Sequence, residues 1–175
     1  MMSGKISLRD LNELAPDAFV LIVGSVFEHS PWIAEATVSK KPFQSFEELH
    51  RSLCDTVKAA AIEKQLALIR AHPDLVGKLA LAGQLTTEST REQASAGLDQ
   101  LSSAEIQLFQ KNNEAYKEKF GFPFIICARL NKKEAILKGF EARLKNSREM
   151  EIQTALAEIF KIAELRLRDL IIVCV

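Results

Sequence analysis

Cysteine is scarce in this chain and badly placed for cross-linking: Cys54, Cys127 and Cys174 are odd in number, far apart and without a CxxC pair. That argues against a disulfide framework and against a zinc knuckle, and a reducing compartment fits better. No charge of one sign prevails, since 23 Lys and Arg face 23 Asp and Glu, so there is no net field to gather a polyanion and nucleic acid is not an expected partner. No apolar run approaches the ~18 residues of a membrane span, and Met1-Met2-Ser3-Gly4-Lys5 lacks the apolar core of a leader. The ending Ile171-Ile172-Val173-Cys174-Val175 is not a peroxisomal Ser-Lys-Leu address, so the expected location is the cytoplasm. Gly-rich phosphate loops, HExxH, GxSxG and EF-hand loops are missing too.

Seven glycines and five prolines leave little punctuation, and no alternating β-branched run is bounded by turn residues, so strands have little support. Helical signals are plentiful. Pro16 suits a first turn, and Phe19, Val20, Ile22, Val23, Val26 and Phe27 make an apolar face that stops before Ser30-Pro31, where a short helix should begin. Ser45-Phe46-Glu47-Glu48 reads as a capping box opening a helical stretch toward Arg70, with a break near Ala60. Leu49, Leu53, Val57, Ile62, Leu66 and Ile69 form its apolar side. His72-Pro73 ends that stretch, because proline disfavours helical geometry in the residue before it.

From Leu75 to Leu85 a weaker helix is interrupted near Gly77 and Gly83. Ser102-Ser103-Ala104-Glu105 is a second capping box, whose helix runs through Phe109 and Tyr116 to Gly121, a natural left-handed stop. Phe122 to Ile126 should follow as an extended apolar loop. Asn131 can cap a helix to about Leu144, and Ser147 a last one carrying Ile152, Leu156, Ile159, Ile162, Ala163, Leu167 and Leu170. With 47% hydrophobic residues and no linker or repeat, the chain reads as all-α, a single domain over residues 1–175. The expected form is a compact bundle of about seven to nine helices.

Few residues stand out chemically. His50 and Cys54 share a helical face, but a tetrahedral metal site needs further ligands at a readable spacing, so no metal site is expected. His29 and His72 both sit at expected helix ends, where an imidazolium complements the dipole, and capping explains each without any function. Ser89-Thr90-Arg91-Glu92 likewise satisfies a capping-box pattern. Arg166 differs: it lies beside the apolar stripe of the last helix, and a charge aimed at a core needs an anionic partner from the protein or from a ligand. Arg168 falls on another face, next to Glu164, and reads as solvated. On these features alone, a non-catalytic helical interaction domain is the better reading, with Trp32 and the Phe122 to Ile126 loop as its partner-binding patch.

Five segments taken in order change that: Ser25-Val26-Phe27-Glu28-His29-Ser30-Pro31-Trp32-Ile33-Ala34-Glu35, Ala71-His72-Pro73-Asp74-Leu75, Ser89-Thr90-Arg91-Glu92-Gln93, Phe120-Gly121-Phe122-Pro123-Phe124-Ile125 and Leu165-Arg166-Leu167. Together they closely resemble the family of 2-oxo-4-hydroxy-4-carboxy-5-ureidoimidazoline (OHCU) decarboxylases, over nearly the whole chain and without departure at these positions. The resemblance implies a compact all-α fold, usually a homodimer, that uses no cofactor and acts late in urate degradation. It would take carbon dioxide from the imidazoline and release S-allantoin. By position, the resemblance makes His72 the catalytic acid/base and Glu92 its carboxylate partner. Pro73, Ser89, Gln93 and Arg166, with the backbone of Phe124, Ile125, Ile126 and Ala128, would hold the substrate.

Overall fold

In the computed structural model, residues 4–172 are described, and Cys174 with the chain's last three residues lies outside them. They form ten α-helical segments, seven of which have eight residues or more, together with one minimal strand pair. The chain divides into two compact units: residues 1–71 with 160–175, and residues 72–159.

The first unit begins with β1 (Ile6–Ser7) and α1 (Leu8–Glu13), whose first turn is capped by the Ser7 hydroxyl accepting from the Asp10 amide. α2 (Pro16–Val23) has proline at its first position, as its fixed φ favours. α3 (Trp32–Thr37) continues into a 3-10 turn at Val38–Lys40 and packs on α4 (Phe46–Ala59). Ser45 caps α4 by accepting from the Glu48 amide, but the Glu48 carboxylate takes the amide of Gln44 rather than that of Ser45, so the box is completed one residue early.

The expected break at Ala60 is present. Gln65 of α5 (Ile62–Ala71) donates its side-chain amide to the carbonyls of Val57, Lys58 and Ala60, which satisfies the end of α4. The core here comprises Leu11, Phe19, Val23, Ile33, Leu49, Leu53, Val57, Leu68 and Ile69. Each such side chain contributes about 1.5–3 kcal/mol by leaving water. Ile62, expected on the apolar side, is exposed instead, because α5 turns Leu68 and Ile69 inward.

The second unit contains α6 (Lys78–Leu81), α7 (Thr87–Ser95), α8 (Ser103–Phe120), a 3-10 turn at Ala128–Leu130, and α9 (Lys133–Arg143). α10 (Arg148–Leu170) starts here, capped by Ser147, and its last turns belong to the first unit. Both halves of the Ser102–Glu105 capping box form, and Gly121 closes α8 at φ +79°, which an L side chain tolerates poorly. Packing centres on aromatics: Tyr116 meets Phe124 edge-on at 5.2 Å, and Phe124 stacks on Phe140 at 3.9 Å.

Several local expectations need correction. α7 is capped by Thr86, whose hydroxyl accepts from the Ser89 amide, so Ser89 lies inside the helix and does not start it. Asn131 does not cap α9; its amide turns back to the carbonyl of Cys127, and Lys132 takes the cap position. α2 ends at Val23, so His29 is no helix cap; it sits in a turn with φ +46°. Ile6 and Ser7 pair in parallel with Ile171 and Ile172 (β2), joining segments too short and too distant to read as strands.

Candidate active site

His72 follows directly on the last residue of α5 and is 8% exposed. The loop after it is tied down at nearly every residue. Gln93 of α7 accepts from the Val76 amide at 3.0 Å and donates to the Asp74 carbonyl at 3.3 Å. Asn113 of α8 donates to the Leu75 carbonyl at 2.7 Å, and Lys117 pairs with the Asp74 carboxylate at 2.6 Å. Val76 is held at φ +54°, an uncommon conformation for a β-branched residue and one that persists only when its surroundings enforce it.

Ser89, Glu92 and Gln93 stand three and four apart on α7 and therefore share a face. Ser89 and Gln93 are buried and Glu92 is half-buried. α7 packs against the 3-10 turn that begins at Ala128. The Glu92 carboxylate lies close enough to help raise the pKa of the Cys127 thiol, although burial is the main cause and Glu158 contributes more than Glu92. The segment between, Phe122 to Cys127, belongs to no helix or strand, with Phe124, Ile125 and Ala128 buried and Ile126 half-buried. Pro73 is half-buried beside His72.

The second unit thus brings together the loop after His72, the Ser89–Glu92–Gln93 face and the start of the Ala128 turn. Gln93 has already committed one amide hydrogen and one carbonyl lone pair to the loop, which leaves one of each for a ligand. A cavity of about 370 Å³ is lined by Gln93, Thr90, Val76 and apolar residues including Leu85 and Leu98. A second, of about 310 Å³, is lined by Asp74, Asn113 and Lys117. His72, Ser89 and Glu92 line neither of these two.

Arg166 belongs to the first unit. It is 5% exposed, and the anionic partner its position demands is Glu28, 3% exposed, with Nη1 to Oε2 at 3.0 Å; Nη1 also faces the Val26 carbonyl at 3.4 Å. The sequence announced the need for a partner without naming one. Arg168 bonds Glu164 at 2.8 Å as expected, but it also lies over the Phe46 ring at 4.5 Å, so it is only half-exposed. His50 has its Nε2 2.9 Å from the Phe160 carbonyl and 3.4 Å from Cys54 Sγ. Burial pushes the Cys54 thiol up to about 12, leaving it protonated and inert.

The partner-binding patch expected of an interaction domain is not on the surface, since Phe122, Phe124 and Ile125 are buried. Trp32 is half-buried and covered by Lys64 at 5.1 Å. Within the second unit, a buried His72, a loop tied to α7 and α8, a half-buried Glu92 and the buried Phe122–Phe124 segment are side chains of the kind that proton chemistry on a small polar molecule uses.

The family model of OHCU decarboxylase matches residues 12–168. An OHCU decarboxylase of Halalkalicoccus jeotgali is 44% identical over 166 residues, covering 95% of this chain and 92% of that one. Among solved structures, the chain resembles an (S)-allantoin synthase at a TM-score of 0.78 with 27% identity, covering 95% of this chain and 54% of that one. It also resembles an OHCU decarboxylase crystallised in the presence of (S)-allantoin, at a TM-score of 0.63 with 26% identity, covering 77% and 87%. The chain belongs to the OHCU decarboxylase family.

Proposed function

We propose that this protein is a carboxy-lyase that converts OHCU to S-allantoin and carbon dioxide in urate degradation. It would work as a homodimer in the cytoplasm, with residues 1–175 serving as one functional domain. The observation that carries the reading is the gathering of the loop after His72, the Ser89–Glu92–Gln93 face and the Ala128 turn in a chain of this family.

The chemistry suits these residue types. In the substrate, hydroxyl and carboxylate share one ring carbon beside a ring C=N, so the electron pair left by carbon dioxide flows into the ring. The substrate brings its own electron sink, and what remains for the protein is proton transfer, orientation and exclusion of water. His72 moves a proton at the substrate hydroxyl or at the adjacent ureido-bearing carbon, because imidazole gives and takes protons near neutral pH. Glu92 sets the tautomer of His72 or grips the same face of the substrate. Delivery to one face of the planar intermediate fixes the S configuration.

Ser89 and Gln93 hold the ureido tail, with Pro73 and the backbone of Phe124, Ile125, Ile126 and Ala128 completing the cradle. Phe122 and Phe124 keep it dry. Arg166 contacts ring oxygen or nitrogen where negative charge develops. A free cation on the departing carboxylate would stabilise the ground state more than the transition state. Pairing with Glu28 at 3.0 Å tempers the guanidinium and fits that assignment.

To test it, OHCU is generated in situ from urate with the upstream enzymes and followed by circular dichroism. Rapid appearance of S-allantoin, lost in a folded His72→Ala variant, supports the reading. Racemic allantoin at the uncatalysed rate would refute it.

A further inference from the structure

We propose that Arg143 and Glu158 are positioning residues that hold the backbone of Ile125 to Cys127 in the shape the substrate meets. The proposal rests on the reading that Phe124 to Ala128 contacts substrate. The segment from Phe122 to Cys127 belongs to no helix or strand, so its buried peptide groups must find partners among side chains.

Two charged side chains supply them. Arg143 of α9 donates from Nη1 to the Ile125 carbonyl at 2.6 Å, while its guanidinium lies 4.3 Å over the Phe124 ring. Arg143 is itself fixed by Glu151, which is fully buried, through Nε to Oε2 at 2.8 Å. Glu151 also accepts from the Tyr116 hydroxyl and, at 2.7 Å, from the Asn146 amide. Two residues further along from Ile125, Glu158 of α10 accepts the Cys127 N–H at 2.8 Å.

The protein thus holds the Ile125 C=O and the Cys127 N–H, the two peptide groups that flank Ile126. Among the described residues, the Ile126 peptide groups make no hydrogen bond, and Ile126 is half-buried. One donor and one acceptor side by side complement a ureido group, which presents the same pair reversed. A neutral side chain could have satisfied either peptide group. A buried ion pair with every partner in place instead costs desolvation but tolerates little movement, which is what a recognition edge made only of backbone requires.

The experiment measures KM and kcat with OHCU generated in situ, and binding of S-allantoin by calorimetry, for wild type, Glu158→Leu, Glu158→Gln and Arg143→Lys, each normalised to folded protein. Glu158→Leu should raise KM and the S-allantoin Kd about tenfold with kcat within about twofold, because the lost contact serves binding in ground and transition states alike. Glu158→Gln keeps an acceptor and should stay within about threefold of wild type. Arg143→Lys keeps a charge on Glu151 but lacks the fork that reaches Ile125, and should raise KM about fivefold. KM and Kd within twofold of wild type in both Glu158→Leu and Arg143→Lys would overturn the positioning role, whatever happens to stability. Should Glu158→Leu not fold, Arg143→Lys decides by the same measure. A wild-type protein that neither turns over OHCU nor binds S-allantoin would overturn the functional reading and this inference with it. An active wild type with unmoved variants would overturn the inference alone.

Discussion

Removing the Arg166 guanidinium separates its structural load from its chemical one. In Arg166→Met, the Glu28 carboxylate stays 3% exposed and loses the cation 3.0 Å away. The ring of His29, 3.8 Å from the other carboxylate oxygen, is largely in solvent and does not replace a buried guanidinium. Breaking a buried pair from one side costs about 3–5 kcal/mol, a large share of the ~5–15 kcal/mol that holds a domain folded. At about 2–4 °C per kcal/mol for a chain of this size, the melting temperature should fall by roughly 6–20 °C. Arg166→Met with Glu28→Leu removes both charges and should recover most of that loss, since well-packed apolar replacements for buried pairs are often neutral. The assay is a thermal melt of wild type, both single variants and the double, followed by turnover of OHCU by whatever folds. The double variant should be folded and inactive. A single Arg166→Met melting within about 2 °C of wild type would refute the buried-pair argument, and a double variant with full turnover would refute the substrate contact.

Arg166→Lys should fold, yet lose most turnover if charge stabilisation depends on the planar fork; survival of activity in steady-state assays would reduce the role to a point charge. Gly121→Ala meets no atom within 4 Å, so its cost is conformational, about 1–2 kcal/mol for an L residue at φ +79°, readable as a lower urea midpoint with unchanged slope. The hydrogen bond from Lys133 holds the Glu105 carboxyl at about 2, below its ordinary 4.5, so its stabilising contribution is complete above pH 4.5 and gone below about 2. The melting-temperature gap between wild type and Glu105→Gln should therefore close as pH falls through that window. At pH 8, mass spectrometry after alkylation should find Cys54 and Cys127 unmodified in the native protein and modified in urea, because burial raises both thiol pKa values; native-state labelling of Cys127 at the urea rate would contradict its burial.

How much of this was legible depended on how local each signal is. α8 was readable from end to end because its capping box and its glycine stop lie within a few residues of what they control. At the start of α7, Ser89-x-x-Glu92 matches a capping pattern, yet Thr86 is the cap and Ser89 is buried inside the helix, which no local pattern reports. Ile62 follows the apolar spacing of α5 but faces water, since periodicity defines a face without saying how far along the helix it is covered. The strand pair and the Glu28 partner of Arg166 join residues from opposite ends of the chain. His72 on its own spoke only for capping, and it was the family resemblance across five segments that gave it a chemical reading.

What neither motif nor resemblance supplied is the way the chain stiffens the surroundings of His72. Catalytic groups must be held to a fraction of an ångström, and a loop with a β-branched residue at φ +54° stays in place only if other contacts outweigh the strain. Here Gln93, Asn113 and Lys117, from two helices, take hold of Asp74, Leu75 and Val76 in succession. Gln93 is the telling member, because the same amide that fixes the loop after His72 keeps one hydrogen and one lone pair to offer a ligand. Its replacement by Glu would lose the donor to Asp74 while keeping an acceptor for Val76. If Gln93 works chiefly through the loop, that variant should depress kcat, because His72 is then misplaced; if it works chiefly through the ureido tail, KM should rise instead.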